Sequence, residues 1–318
     1  MSSIITGNNS SNVLVGTNHN DTLQGRGGND VLVGSRGSDS LDGGNGFDTA
    51  DYTNLSVAVT LKPAGELVKG NFGTDTLFLV EQIRGAKGFD NVVDASSAGG
   101  GIEAGISLEN QYLDVFNIPG LGERNFTIQR FVDVIGTQGS DFIEGSNASN
   151  FLDGQGGDDF MEGGGGADNM IGRDGSDLLF GEGGQDRLSG TDSFSRGEYE
   201  NDFLVGGDGR DRFILGDGDG SYYQSKNLSD FDDFGFGGFA EFAVIDDLTK
   251  GERIEVGAGE TYLPVETSTG FDLYVVRDGL FDGFLDAVAV VNTTSSINLP
   301  NGEFSIASDQ TVGIFIGA

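Results

Sequence analysis

A nine-residue frame, opened by glycine and carrying an acidic or amide residue at its sixth place, leaves this chain little freedom in what it can fold into. In the first block the frame runs through Gly16, Asp21 and Leu23; Gly25, Asp30 and Leu32; Gly34, Asp39 and Leu41; and Gly43, Asp48 and Ala50, after a degenerate copy with Gly7, Asn12 and Leu14. A second block starts at Gly136 and places Asp141, Asn150, Asp159, Asp168, Asp177 and Asp186 at the sixth position. Ile143, Leu152, Met161, Met170, Leu179 and Leu188 fill the eighth. After Gly190 the phase slips by seven residues and recovers at Gly197, with Asp202 and Leu204, and at Gly206, with Asp211 and Phe213.

Glycine at the first, second and fourth places suits tight turns and close approach of neighbouring coils. A short strand around the eighth place sends one large apolar side chain into a narrow core. With two nonapeptides per coil, residues eighteen apart stack. Asp21 then lies over Asp39, Asp30 over Asp48, Asp141 over Asp159, Asp159 over Asp177, and Asp168 over Asp186.

Stacked carboxylates repel, by roughly 4 kcal/mol at about 4 Å and an effective dielectric near 20. A divalent cation removes that cost. Calcium fits an array of carboxylate and carbonyl oxygens better than magnesium, which demands a strict octahedron. The chain has no cysteine and a single histidine, His19, so zinc is not expected. The candidate metal ligands are Asp21, Asp30, Asp39, Asp48, Asp141, Asp159, Asp168, Asp177, Asp186, Asp202 and Asp211. Same-side pairs one coil apart give roughly eight or nine ions. A disordered linker of the same composition would not keep an apolar residue every ninth place.

Charge agrees. Asp+Glu number 51 against 17 Lys+Arg, a net charge of −34, so the cation-free chain is strained by self-repulsion. Such acidity excludes a phosphate-binding, nucleic-acid partner. No segment is apolar over the length needed to span a bilayer, and membrane insertion is not expected. The N-terminal residues lack the basic and apolar regions of a cleavable signal peptide, so export would use another route. The missing cysteines suit a bacterial exoprotein.

The pattern divides the chain into a first repeat block over 1–52, a β-rich middle segment over 53–135, a second block over 136–220 and a C-terminal β domain over 221–318. The middle segment carries strand-like runs without the frame and is expected to stack on the blocks as larger coils. Gly85, Gly88, Asp90 and Val92 there make either an isolated calcium turn or a plain structural one. The last segment reads as strands separated by turn residues, capping the strand edges at the end of the roll.

The two repeat blocks, the phrases Asp48 to Asn54 and Gly73 to Leu77, and the segment Ala243 to Glu255 resemble the RTX, or hemolysin-type calcium-binding, secreted proteins of bacteria, and among them the cyanobacterial members most. The resemblance implies an all-β fold, a calcium-stabilised parallel β-roll in two blocks, and type I secretion by an uncleaved C-terminal signal. Residues 307–318 are either the end of that signal or a final strand.

Catalytic chemistry is thin. His19 occupies a loop place of a repeat, there is no HExxH motif, and no cysteine nucleophile exists. Carboxylate pairs such as Asp232 and Asp233 with Glu241 remain. The Phe231–Phe242 stretch, with Phe234, Phe236 and Phe239 between glycines, either packs on the C-terminal domain or forms a sticky patch. The sequence therefore predicts a non-enzymatic, extracellular calcium-binding protein serving as a structural, adhesive or self-assembling component of the cell surface or matrix. Its partners would be calcium, further copies of itself, or surface polysaccharide. The rival is a carboxylate-based hydrolase of polysaccharide that uses the rolls as a folding and secretion cassette.

Overall fold

The computed structural model describes residues 1–99, 102–118, 122–192, 194, 200–217 and 220–221, and the strands 242–248, 253–256, 261–266, 270–276, 285–293 and 312–315. The fold is all-β, built from parallel sheets. It divides into two compact units, Met1–Gly145 and Ser146–Ala318.

In the first unit, successive nonapeptides alternate between two parallel sheets. Ile4–Thr6, Thr22–Gly27, Ser40–Asn45 and Thr74–Phe78 pair in one. Val13–Val15, Val31–Val33, Thr49–Asp51 and Gln82–Arg84 pair in the other. Leu23 faces Leu41, and Leu41 faces Leu77, so the eighth places form a continuous apolar stripe. Leu14, Leu23, Leu32, Leu41, Ala50, Leu77 and Ile83 are all buried. The roll is only one side chain deep per strand, so its core is a thin line of contacts along the stacking direction.

The middle segment continues this stack. It interrupts each sheet with one antiparallel excursion: Thr60–Leu61 and Glu66–Val68 beside Thr74–Phe78, and Ala104–Ser107 and Tyr112–Ile118 beside Gly122–Gln129. Asn91–Asp94 then resumes parallel pairing with Thr60–Leu61 and with Phe131–Ile135.

In the second unit, Phe151–Gly156, Asn169–Asp174, Arg187–Ser189, Arg212–Ile214 and Arg253–Val256 form one parallel row. Phe160–Gly166, Leu178–Phe180, Asn201–Val205, Phe242–Leu248 and Leu285–Thr293 form another. The phase slip appears as a partner offset: Leu178 pairs with Phe203 and Arg187 with Arg212, instead of with residues eighteen on. The eighth places, Leu152, Met161, Met170, Leu179, Leu188, Leu204 and Phe213, stay fully buried across it. Strands from the C-terminal segment prolong both rows, and Val312–Phe315 is a strand antiparallel to Arg253–Val256. Among the described residues no helix is long and apolar enough to cross a membrane. Asp232, Asp233, Phe234, Phe236, Phe239 and Glu241 lie outside the described residues.

Candidate metal centres

Within each block a repeated contact ties down the sixth-place aspartates: one carboxylate oxygen accepts the backbone N–H of the residue at the same place one coil earlier. Asp39 Oδ1 takes Asp21 N at 2.8 Å, Asp48 Oδ1 takes Asp30 N at 2.7 Å, Asp177 Oδ1 takes Asp159 N at 2.8 Å, and Asp186 Oδ1 takes Asp168 N at 2.8 Å. The ladder crosses the slipped frame, with Asp202 on Asp177 N at 2.9 Å and Asp211 on Asp186 N at 2.8 Å. Two ladder residues lie outside the two repeat blocks. Asp75 Oδ1 accepts from Asp39 N at 2.9 Å, and Glu81 Oε2 accepts from Asp48 N at 2.7 Å.

What the second oxygen does separates two classes of position. The backbone of the residue after the opening glycine decides between them. Arg26, Gly44, Gln155, Gly164, Arg173, Glu182 and Gly207 all have positive φ, and they belong to the frames of Asp30, Asp48, Asp159, Asp168, Asp177, Asp186 and Asp211. There the second carboxylate oxygen points over its own opening glycine, joined in every frame but that of Asp211 by a carbonyl oxygen from the next coil. A Cβ placed on Gly163 would lie 2.6 Å from Asp168 Oδ2 and 2.8 Å from the Gly181 carbonyl. On Gly181 it would lie 2.6 Å from Asp186 Oδ2 and 2.6 Å from the Gly206 carbonyl. Asp30, Asp48, Asp168, Asp177 and Asp186 each hold Oδ2 buried with no hydrogen-bond donor. A buried carboxylate oxygen without a donor is costly, and holding Arg26, Gln155, Arg173 and Glu182 at left-handed φ adds about 1–2 kcal/mol each.

In the other class φ at that residue is ordinary and the N–H turns onto the carboxylate or amide oxygen. Thr17 N and Oγ1 donate to Asp21 Oδ2 at 2.5 and 2.7 Å. Thr137 N donates to Asp141 Oδ2 at 2.5 Å, and its Oγ1 donates to Asp141 Oδ1 at 2.9 Å. Asn12 and Asn150 take the N–H of Asn8 and Ser146 in the same way. Asp21 and Asp141, expected from the sequence as metal ligands, therefore have both oxygens engaged by protein donors. Asp39 differs again, with Lys69 beside it. In the turn opened by Gly85 the sixth-place residue, Asp90, is exposed, and the next residue, Asn91, is buried in its stead. Asn91 Nδ2 donates to the carbonyls of Ala86 at 2.9 Å and Arg130 at 2.6 Å, so an N–H group fills the turn and it is the structural reading of that turn that fits.

The open positions suit calcium. Among the described residues no three acidic or histidine side chains converge, so each position would draw most of its ligands from backbone carbonyls around one or two carboxylates. That is a hard, flexible oxygen set. Asp30, Asp48, Asp159, Asp168, Asp177, Asp186 and Asp211 would hold the ion with the coil carbonyls, and at Asp30, Asp48, Asp168, Asp177 and Asp186 the ion would face the donor-free Oδ2.

Burial pushes the Asp168 carboxyl up to about 7 and the Asp186 carboxyl up to about 6. Asp177 is raised further by burial and by the Asp202 and Asp159 carboxylates. Asp21 moves the opposite way: burial opposes ionisation, and the donors on Thr17 and Ser3 outweigh it. A carboxyl raised above its unfolded value of about 3.9 keeps its proton in the folded state, so its contribution is complete below about pH 4 and is lost as pH rises through about 7. Calcium-stripped protein is thus expected to melt at a higher temperature at pH 5 than at pH 8, and saturating calcium should remove most of the difference. A flat or rising calcium-free profile would refute this account of the open positions.

The RTX calcium-binding nonapeptide repeat (4 copies) matches residues 15–50, 135–170, 162–193 and 195–222. No curated protein matches the chain. Among solved structures, the extracellular lipase LipA from Serratia marcescens is 14% identical, with a TM-score of 0.26, over 93% of this chain and 38% of the lipase. The chain thus spans well under half the length of that lipase, and a likeness so slight bears on neither fold nor function. The matched stretches coincide with the carboxylate ladders described above, and they support the RTX family for a chain that carries its calcium-binding nonapeptide repeats.

Proposed function

We propose that this chain is a secreted, calcium-loaded β-solenoid that acts as a structural, adhesive or self-assembling component of the bacterial cell surface or matrix. RTX repeats are typical of proteins exported by type I secretion, and low-millimolar calcium outside the cell matches the range of extracellular calcium modules, about 0.1–1 mM. The chain would leave the calcium-poor cytosol unfolded and set outside.

One observation carries the assembly reading. In the second unit the outward face of a parallel row presents Phe160, Leu178 and Phe203 in one register line and Glu162, Phe180 and Val205 in the next, five apolar side chains beside one carboxylate. The rings of Phe160 and Phe180 lie 5.5 Å apart and those of Phe180 and Phe203 6.3 Å apart, and Leu178 is exposed. Largely apolar rows of this kind serve contact with another surface, either a second copy or the faces of sugar rings. Light scattering coupled to size exclusion, during a calcium titration, tests it: large particles are expected to form after folding. Serine at Phe180 and Phe203 should preserve calcium-induced folding and reduce particle growth. Folding that stops at a compact monomer, with no affinity for polysaccharide, would sink the reading.

A further inference from the structure

The carboxylate ladder that runs through Asp21, Asp39 and Asp75 differs from every open position in what lies between its carboxylates. The Lys69 side chain is fully buried and reaches the ladder from the residue just before the turn Gly70–Phe72. Its Nζ donates to the Ser35 carbonyl at 2.6 Å, lies 3.5 Å from Asp39 Oδ2 and bonds Asp75 Oδ1. An ammonium has three protons, and here three oxygens receive them: one carbonyl and two carboxylates from successive coils. Those are the oxygen types that converge on the open positions. Buried Tyr52 completes the arrangement, donating its hydroxyl to Asp75 Oδ2 at 3.0 Å. A Cβ on Gly34, the opening glycine of the Asp39 frame, would meet the Tyr52 ring rather than oxygens.

We propose that Lys69 is a built-in cation that takes the place of calcium between Asp39 and Asp75, so that this edge of the first roll is closed without an ion. An unpaired buried charge would be strongly unfavourable, and a buried pair holds only when its remaining protons and lone pairs are satisfied. The Ser35 carbonyl and the Tyr52 hydroxyl meet that condition. The neighbouring step of the same edge also runs on the chain's own donors, because Thr17 closes Asp21. The opposite edge, through Asp30 and Asp48, keeps left-handed backbone at Arg26 and Gly44 and donor-free Oδ2 atoms. One roll therefore has a calcium edge and a self-closed edge.

Counting bound calcium on full-length protein by equilibrium dialysis tests this. Asp39→Asn should leave the number of ions per chain unchanged, whereas Asp30→Asn should lower it. An equal fall in both variants would overturn the proposal. Should Asp39→Asn not fold, the wild-type protein gives the answer through lysine reactivity. In calcium-saturated protein, reductive methylation is expected to modify exposed Lys87 and to spare Lys69. An ion at this position would displace the ammonium, and methylation of Lys69 at the rate of Lys87 would overturn the proposal.

Discussion

Stripping calcium at neutral pH is expected to cost the second unit most of its β-structure, with recovery on adding calcium back in the low-millimolar range. Its open positions, at Asp159, Asp168, Asp177, Asp186 and Asp211, follow one another along two edges of the roll. A ligand at a hundred times its dissociation constant contributes about 2.7 kcal/mol per site. Five such sites amount to on the order of 10 kcal/mol, comparable with the entire stability of an ordinary domain, about 5–15 kcal/mol. The core cannot make up the loss, because the repeat strands mostly deliver one buried apolar side chain each and the carboxylates left behind are buried beside one another. The first unit should lose less, since Thr17, Lys69, Asn91 and Thr137 supply donors that do not wash out. Circular dichroism gives the total change, and hydrogen exchange resolved along the chain assigns it. Equal protection in both units with and without calcium would refute the division into open and self-closed positions.

The second large effect is expected from a single methyl group. Gly172→Ala places a Cβ against Asp177 Oδ2 and 2.5 Å from the Gly190 carbonyl, in the space where the two oxygens converge. Its φ is not in the left-handed region, so the backbone itself tolerates alanine; the penalty is crowding of the oxygens. Overpacking alone costs about 1–3 kcal/mol, and loss of one ion adds about 2–3 kcal/mol at high calcium. Gly88→Ala is the comparison, because its φ is +78° and nothing lies within 4 Å of the added carbon. There the cost is conformational alone, about 1–2 kcal/mol. The calcium-saturated melting temperature should fall further for Gly172→Ala, and only that variant should bind fewer ions. Equal ion counts in the two variants would show that the converging oxygens are not the binding position.

Most of the fold was legible because the nine-residue period states it twice, once in the acidic place and once in the apolar one. Leu41 and Met170 could be assigned to the core from spacing alone. Asp75 was also within reach: Gly70, Gly73, Asp75 and Leu77 satisfy the frame in phase with Asp39, but a single copy after a long interruption does not announce itself as a repeat. Glu81 was not within reach, since its longer side chain arrives from an out-of-phase position. Occupancy of the sixth place proved less informative than the second. Thr17, Thr137 and Ser146 carry short hydroxyl side chains of the sort that bond locally to backbone, and their N–H groups close the carboxylate or amide. Gly44, Gly164 and Gly207, together with Arg26, Gln155, Arg173 and Glu182, turn the other way. Arg173 shows how a non-glycine residue is held there: its guanidinium pairs with Asp153 and Asp192 on either side. Lys69 could not be read from the sequence at all, because nothing in a lone lysine before a glycine says that its ammonium lies between two coils.

The jump from an eighteen-residue to a twenty-five-residue partner offset in the second unit leaves the aspartate ladder and the buried stripe unbroken. The seven-residue slip is thus invisible to the stack. Coils add along the strand-to-strand direction at about 4.8 Å each, so duplicating or deleting eighteen residues would change the roll's reach by that increment and leave both flanking faces as they were. Length in such a protein is a graduated quantity, set by counting coils as on a measuring rod, and it can be altered without redesigning a core.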